Sequence, residues 1–149
     1  MDKKTVLFVC SFNSVRSPIA EGLLNARCGN RYSAFSAGIA PGGLNPYAVA
    51  VMKEIGIDIS SHRSKKLDTF AGVRFDYVVT LCDHVKAAVY GSLPEGTIVL
   101  HHGFTSPSEI QQDKALILAG FRTLRDNIGS WLDATFPDCP DKHSEIKGE

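Results

Sequence analysis

The stretch VLFVCSFNSVRSPIAEGLL, residues 6–24, decides how this chain folds. An apolar run ends on Cys10, a short polar loop carries Arg16 and Ser17, and Pro18 opens a segment with apolar residues at helical spacing. A continuous apolar run is typical of a buried parallel strand, and proline is tolerated in the first turn of a helix. The stretch therefore predicts a strand, a loop and a helix, with a thiol where the strand ends.

The same alternation of strand and helix continues along the chain. Apolar runs predict strands over residues 5–10, 32–37, 75–82 and 97–101. Helical spacing predicts helices from residue 18 to 28, from 46 to 55 with Asn45 as the N-cap, from 83 or 84 to 90, and from 109 to 134. This order predicts an α/β fold, a doubly wound three-layer domain with a four-stranded parallel sheet. Such sheets bind ligands at the carboxyl ends of their strands, where Cys10 and Cys82 are expected.

Length and charge narrow the class of protein. The 149 residues suit a single domain, which we predict over residues 1–137, followed by a flexible tail over 138–149. Sixteen basic and sixteen acidic side chains cancel, so the composition does not require the basic face that nucleic-acid binding needs. No apolar run is long enough for a signal peptide or a membrane span, and we expect a cytoplasmic protein with no membrane partner.

Four widely spaced cysteines stand at positions 10, 28, 82 and 139. In a chain with no predicted signal peptide, this spacing predicts reactive thiols or plain buried residues rather than a framework of structural disulfides. Cys28 falls on the inward face of the first predicted helix, which favours a packing role. No CxxC pair occurs, and no histidine pairs with a cysteine at zinc-finger spacing. We therefore predict neither a metal site nor a cofactor.

The loop after the first strand has the residues of an oxyanion site. Free backbone N–H groups and the dipole of the following helix favour a bound anion, and Arg16 adds a planar fork for two of its oxygens. The same field favours the thiolate form of Cys10, to which Ser17 can donate a hydrogen bond. The alternative is a buried strand-end cysteine beside a surface arginine. The predicted oxyanion-binding residues are Ser11, Phe12, Asn13, Ser14, Val15, Arg16 and Ser17.

This stretch resembles the phosphate-binding loop of the low-molecular-weight protein tyrosine phosphatase superfamily. The resemblance implies that Cys10 is the nucleophile, that Arg16 and the loop amides hold the oxyanion, and that Ser17 steadies the thiolate. It also implies that Asn13 holds the unusual backbone of the loop. Phe12 departs from the family pattern, because many members have glycine there, and it is expected to narrow the mouth of the site.

Two further stretches resemble the arsenate reductase branch of this superfamily. They are YSAFSAGIAPGGLNPYAVAVMKEIGIDISSHRSKKL, residues 32–67, and FDYVVTLCDHV, residues 75–85. The resemblance implies that Cys82 is a second catalytic cysteine, and arsenate reduction needs such a thiol because it consumes two electrons. The alternative is a core cysteine on a buried strand. For Cys82 to reach Cys10, we expect a mobile segment over residues 83–86.

Three departures from the family pattern bear on mechanism. Ser106 precedes Pro107 where phosphatases carry an acidic aspartate, and a serine hydroxyl is too weak an acid to replace it, although Glu109 is close in sequence. Val89 stands where thioredoxin-linked members have a third cysteine, so either Cys139 in the tail substitutes for that cysteine or an external thiol attacks directly: thioredoxin, glutaredoxin or a low-molecular-weight thiol. Some members bind potassium through positions that correspond to Asn13, Glu21, Ser36 and a carboxylate, but this chain has Lys65 at the last one. A lysine there repels a cation and could pair with Glu21, or it is a plain surface lysine.

The predicted function is reduction of arsenate to arsenite, with arsenate or phosphate as the bound oxyanion. Cys10 forms a covalent adduct, Arg16 holds it, and Cys82 resolves it. One alternative is a low-molecular-weight phosphatase that hydrolyses phosphoesters. Another is a non-catalytic module that binds an oxyanion.

Overall fold

A computed structural model of the chain describes residues 3–85, 89, 97–107 and 113–136. Its strands are β1 (Lys4–Cys10), β2 (Tyr32–Gly38), β3 (Tyr77–Thr80) and β4 (Ile98–His101). Its α-helices are α1 (Arg16–Cys28), α2 (Pro46–Lys53) and α3 (Lys114–Thr135). Two short 3₁₀ turns cover Leu67–Phe70 and Asp83–Val85. The predicted α/β fold with a four-stranded parallel sheet is confirmed.

The four strands are parallel and lie in the order β2-β1-β3-β4. In this sheet Cys10 pairs with Gly38 on one side, and Val9 pairs with Thr80 on the other. Because the chain leaves β1 for β2 on one side and returns to β3 on the other, the carboxyl end of β1 is the topological switch point. Cys10 is the last residue of β1, so the thiol lies where such sheets bind ligands.

The two faces of the sheet carry different partners. On β2 the hydroxyl of Ser36 donates to Glu21 of α1, so this side chain lies on the helical face, where α1, α2 and α3 contact one another. Phe35, its neighbour in the strand, therefore points to the opposite face. There its ring packs edge-on against Phe70 and Phe75 at 6.0 and 5.7 Å between ring centroids.

β3 is shorter than the strand predicted over residues 75–82. At its start, Asp76 Oδ2 accepts from Thr5 N at 2.8 Å. A side-chain oxygen thus takes the place of the backbone carbonyl that would accept this hydrogen bond in a continuing strand. At its end, Leu81 N still donates to Val9 O, but Cys82 already precedes the turn at Asp83–Val85. Cys82 thus lies two residues beyond the strand rather than closing it.

The helices also depart from the predicted boundaries. α3 begins at Lys114 rather than at residue 109, because Asp113 has extended backbone angles and its side chain accepts from Ala115 N. The cap predicted for α2 is confirmed, since Asn45 Oδ1 accepts from Tyr47 N at 2.8 Å. Of the helix predicted to reach residue 90, the described part is the 3₁₀ turn and the isolated residue 89. The predicted tail, Cys139 and Glu109 lie outside the described residues.

The packing role predicted for Cys28 is confirmed, but the residue is not a free thiol. It is the last residue of α1 and has no solvent exposure, but it is disulfide-bonded. Wide sequence spacing does not exclude a disulfide, because a bridge requires only that two Cα atoms lie within about 7 Å. Cys10 and Cys82 are free thiols. No helix in the described ranges combines the length and the apolarity that crossing a membrane requires.

Candidate active site

The loop between β1 and α1 turns its carbonyl groups away from its centre. Ser11 O accepts from the amides of residues 39 and 40, and Ser14 O accepts from Asn45 N. Phe12 O accepts from Gly42 N, and the hydroxyl of Ser64 donates to both Phe12 O and Asn13 O at 2.9 Å. In a trans peptide the N–H points opposite to the carbonyl. The amides of residues 12–15 are therefore turned toward the inside of the loop, where an anion can accept from them.

Asn13 holds this loop in a left-handed conformation, with φ at 50°. Its side chain is fully buried, and both polar atoms of the amide form hydrogen bonds. Oδ1 accepts from Lys65 N at 2.7 Å, and Nδ2 donates to Ser17 Oγ at 2.8 Å. Because Ser17 Oγ accepts from Asn13, its own proton is available to the Cys10 sulfur, which lies 2.9 Å away. A hydroxyl donor at this distance stabilises a thiolate.

Arg16 is the first residue of α1, and among the described residues no side chain caps that helix N terminus. Its Nη1 donates to Phe104 O at 3.0 Å, which fixes one side of the guanidinium. Its Nε is buried and has no hydrogen-bond partner among the described residues. An unpartnered buried donor is costly, and a bound oxyanion would supply the missing acceptor.

Cys82 lies against the same loop. Its sulfur is 3.3 Å from Ser11 Oγ, and the residue is 3% exposed, compared with 1% for Cys10. The two thiols are thus hydrogen-bonded to different serines of one loop, Cys82 to Ser11 and Cys10 to Ser17. The structure therefore brings Cys10, Arg16, Ser17 and Cys82 together.

The end of β2 passes the loop so closely that only glycine fits there. A Cβ on Gly38 would lie 2.7 Å from Asn13 N and 2.9 Å from Phe12 C. Gly38 N in turn donates to Lys65 O at 2.8 Å. The far side of the loop is therefore held by β2 and by the segment around Ser64. Phe12, in this loop, is 53% exposed.

The predicted pairing of Lys65 with Glu21 is not formed. Lys65 Nζ donates to Arg63 O at 3.0 Å. Glu21 instead accepts from Ser36, and its Oε1 lies 3.6 Å from His62 Nδ1, an ion-pair distance too long for a hydrogen bond. Over the ranges described, no group of three or more His, Cys, Asp or Glu side chains could hold a metal ion.

Ser106 belongs to the connection that follows β4. It lines a cavity of about 1040 Å³ between this connection and α3, together with His102, Phe104 and Trp131. Pro107, its neighbour, packs on α3, where a Cβ on Gly120 would lie 3.1 Å from Pro107 Cβ. In the same connection, Phe104 O accepts from Arg16 Nη1. Ser106 is therefore two residues along the chain from a direct contact with the β1–α1 loop.

Sequence reasoning missed several residues that shape this site. Ser64 and Gly38 brace the loop, Phe104 fixes Arg16, and Asp83 and His101 hold the turn after Cys82. Each acts across a long sequence separation, so no local pattern reveals it. A glycine that ends a strand and a histidine that ends another were the only signals in the chain itself.

Comparison with known proteins agrees with this geometry. Residues 5–102 match the family model described as "Low molecular weight phosphotyrosine protein phosphatase". The chain belongs to this family. An arsenate reductase of Halalkalibacterium halodurans is 42% identical over 129 residues, which are 87% of this chain and 92% of that protein. The sequence-based resemblance to the arsenate reductase branch of the family is therefore confirmed.

Solved structures from both branches of the family share the fold. A structure described as an arsenate reductase in the phosphate binding state has a TM-score of 0.72 and 28% identity, and it covers 91% of this chain and 98% of its own. A low molecular weight protein tyrosine phosphatase from T. tengcongensis has a TM-score of 0.71 and 26% identity, with 91% and 99% covered. The fold alone therefore does not separate the two activities, and the side chains at the loop must do so.

Proposed function

We propose that this chain is a thiol-dependent arsenate reductase that converts arsenate to arsenite. The observation that carries the proposal is the pair of free thiols at one loop, with Cys10 bonded to Ser17 and Cys82 bonded to Ser11. Phosphoester hydrolysis needs one nucleophile and water. Reduction of As(V) to As(III) needs two electrons, which a pair of thiols supplies when it becomes a disulfide. A second thiol at the loop therefore favours reduction.

The chemistry runs in two steps. In the first, the Cys10 thiolate attacks arsenic and an As–S bond forms, while one As–O bond breaks and that hydroxyl takes up a proton from solution and leaves as water. Arg16 and the inward amides of the loop hold the remaining oxygens. In the second, the Cys82 thiolate attacks the Cys10 sulfur. A Cys10–Cys82 bond forms, the As–S bond breaks, and its electron pair stays on arsenic, which leaves as arsenite.

Recycling requires a reductant that returns two electrons to the disulfide. Val89 is 1% exposed and has no thiol, so the third cysteine of thioredoxin-linked members has no counterpart there. We therefore assign the last step to an external thiol: thioredoxin, glutaredoxin or a low-molecular-weight thiol. Because two thiols must be regenerated after each cycle, the proposed reaction requires a reducing environment, which favours the cytoplasm. The disulfide at Cys28 is buried and involves neither Cys10 nor Cys82, which are free thiols. The proposed cycle involves neither nucleic acid nor a membrane.

Weak phosphatase activity is a second candidate, because the loop can hold a phosphoester in the same way as arsenate. Ser106 precedes Pro107 in place of the family's aspartate, and a serine hydroxyl cannot protonate an alcohol that leaves. Arsenate loses only water, so its reduction depends far less on such an acid. The phosphatase reaction is therefore expected to be slow and restricted to aryl esters with good leaving groups.

The test compares arsenate with a thiol reductant and para-nitrophenyl phosphate without one. With limiting reductant, arsenate is expected to trap a Cys10–Cys82 disulfide, identified by mass spectrometry of a digest. Cys82→Ser is expected to abolish arsenate turnover while phosphate binding, measured by calorimetry, is retained. If Cys82→Ser reduces arsenate as fast as the parent chain with the same reductant, an external thiol attacks the Cys10 adduct directly and the internal relay is wrong.

A further inference from the structure

Two side chains tie the turn after Cys82 to the end of β4. His101 Nε2 lies 2.7 Å from Asp83 Oδ1, and His101 Nδ1 lies 2.7 Å from Thr80 Oγ1. Thr80 is fully buried and pairs with His101 in the sheet register. The imidazole is therefore fixed from inside the protein and presents one nitrogen to Asp83. Because Asp83 directly follows Cys82, this bond holds the backbone next to the second thiol. We call the Asp83–His101 bond the latch.

The latch is compatible with both protonation states of the imidazole. A carboxylate only accepts, so His101 Nε2 carries a hydrogen in either state. In the neutral ring, Nδ1 accepts from the hydroxyl of Thr80. In the charged ring, Nδ1 donates to Thr80 Oγ1, and the hydroxyl turns to Leu100 O, which lies 3.5 Å away. No polar group of the cluster loses its partner in the exchange.

Gly103 leaves the space that the Asp83 carboxylate occupies. A Cβ built on Gly103 would lie 2.8 Å from Asp83 Oδ1, the oxygen that contacts His101. The carboxylate is the movable end of an exposed side chain, so a methyl group there displaces it rather than distorting the sheet. The Asp83–His101 bond therefore depends on its two partners and also on the absence of a side chain at Gly103, in the connection after β4.

We propose that the latch holds the turn after Cys82 in the dithiol form and opens when Cys82 bonds to Cys10. The proposal rests on the internal relay proposed above. The Cys82 sulfur now contacts Ser11 Oγ, and it must leave that contact to form a bond of about 2.05 Å with Cys10. Movement of Cys82 carries Asp83 with it, whereas His101 stays in the sheet. The backbone bond of this turn is already long, with Val85 N 3.4 Å from Cys82 O.

The consequence is thermodynamic. A contact present only in the dithiol form stabilises that form and makes the Cys10–Cys82 disulfide easier to reduce. Asp83 and His101 act as positioning residues, because neither touches the oxyanion or the Cys10 sulfur in this scheme. The Asp83 side chain is 89% exposed and that of His101 is 20% exposed, so the contribution is as small as that of other polar pairs at the surface. Such a pair shifts an equilibrium roughly twofold to fivefold.

The experiment is a redox titration of the full chain in dithiothreitol buffers without arsenate. Cys10 and Cys82 give up two electrons and two protons to oxidised dithiothreitol and form their disulfide, and residue-specific alkylation followed by mass spectrometry measures the oxidised fraction at these two positions. Asp83→Ala and Gly103→Ala are each expected to raise the ratio of reduced to oxidised dithiothreitol at half reduction by roughly twofold to fivefold. Asp133→Ala, which removes one partner of the Arg27–Asp133 ion pair between α1 and α3, is expected to leave the ratio unchanged.

The outcomes separate the latch from the proposed function. If both variants shift the ratio while the parent chain does not reduce arsenate, the latch is supported and the proposed arsenate reductase function is wrong. If arsenate is reduced but neither variant moves the ratio beyond the Asp133→Ala control, the latch is wrong. Absence of any Cys10–Cys82 disulfide in the parent chain overturns both the latch and the internal relay. A shift in Asp83→Ala that Asp83→Glu reverses supports the latch over a general loss of structure.

Discussion

At the scale of single residues, the site depends on side chains that each satisfy two partners. Asn13 shows this most clearly, because its amide bonds both the Ser17 hydroxyl and the backbone of Lys65. A left-handed backbone at a non-glycine residue is strained, and the two bonds hold it in place. The orientation of the Ser17 hydroxyl, and with it the hydrogen bond to the Cys10 sulfur, therefore follows from one buried asparagine.

Ser106 is the residue whose replacement tests the missing acid. Ser106→Asp is expected to raise phosphatase activity on alkyl phosphoesters by roughly a hundredfold, the usual effect of a positioned general acid. Initial rates on phenyl and alkyl phosphates measure it, and Ser106→Asn is the control of matched size without an acid. Equal rates for the two variants would mean that this position does not reach the leaving group.

At the scale of elements, the loop is held as much by β2 as by its own residues. The close approach of Gly38 to the backbone of Asn13 and Phe12 leaves no room for a side chain. The backbone amides of the β2–α2 connection and the hydroxyl of Ser64 then donate to the loop carbonyls. The geometry of the anion site is therefore set where β1 and β2 end side by side.

Gly38→Ala is expected to abolish phosphate binding in a protein that still folds, because the added methyl group lies 2.7 Å from Asn13 N and pushes the loop out of shape. Isothermal calorimetry with phosphate measures the loss, and circular dichroism checks the fold. Gly42→Ala is the matched control, since its Cβ would lie 3.4 Å from Phe12 Cβ, an ordinary contact. Undiminished phosphate affinity in Gly38→Ala would show that the loop adapts.

Features that depend on residues close together in the sequence could be predicted, whereas those that depend on distant residues could not. The strand, loop and helix of residues 6–24 are encoded locally, by an apolar run, Pro18 and helical spacing, and the structure has all three. The start of β3 differs from the prediction because the carboxylate of Asp76 accepts from the amide and the hydroxyl of Thr5, a residue far away in the chain. The latch and the brace at Ser64 join distant segments in the same way. Local patterns carry no information about such pairs.

Glu54 links the end of α2 to α3 and gives a pH-dependent prediction. Arg122 bonds its carboxylate through Nε and Nη2, and Arg125 adds a third donor at 3.0 Å. The hydrogen bonds from Arg122 in the first place, and those from Arg125, hold the pKa of Glu54 below its ordinary value of 4.5. A depressed carboxyl pKa contributes stability above the unfolded value, and this stability is lost as pH falls through the folded value.

Glu54→Gln is therefore expected to lower the melting temperature at pH 7 by about 1 to 4 °C. The difference from the parent chain should shrink as the pH falls below the ordinary carboxyl value. Calorimetric scans at several pH values measure it. Asp68→Asn serves as the control, because Asp68 lies 3.8 Å from Lys66 in an exposed pair. A destabilisation of Glu54→Gln that stays constant with pH would assign its cause to packing.

At the scale of the whole molecule, the anion site and the stability of the fold are coupled. The loop joins β1 to α1, its carbonyls bond the segment after β2, and Arg16 bonds the connection after β4. A ligand that accepts hydrogen bonds from the inward amides and from Arg16 Nε therefore stabilises a loop that is bonded to several parts of the chain. Since the unfolded chain has no such cradle, the ligand binds only the native state and stabilises it.

Phosphate at about a hundred times its dissociation constant should stabilise the protein by about 2.7 kcal/mol, which for a domain of this size raises the melting temperature by roughly 5 to 10 °C. Differential scanning calorimetry measures the rise. Arg16→Lys should lose most of it, because an ammonium cannot form the two-pronged contact, whereas Arg31→Lys, at an exposed position between α1 and β2, should keep it. A crystal grown in phosphate should place the ion inside the loop from Ser11 to Ser17, above the Cys10 sulfur. An equal rise in the Arg16 and Arg31 variants, with an empty loop in the crystal, would mean that phosphate binds elsewhere on the protein.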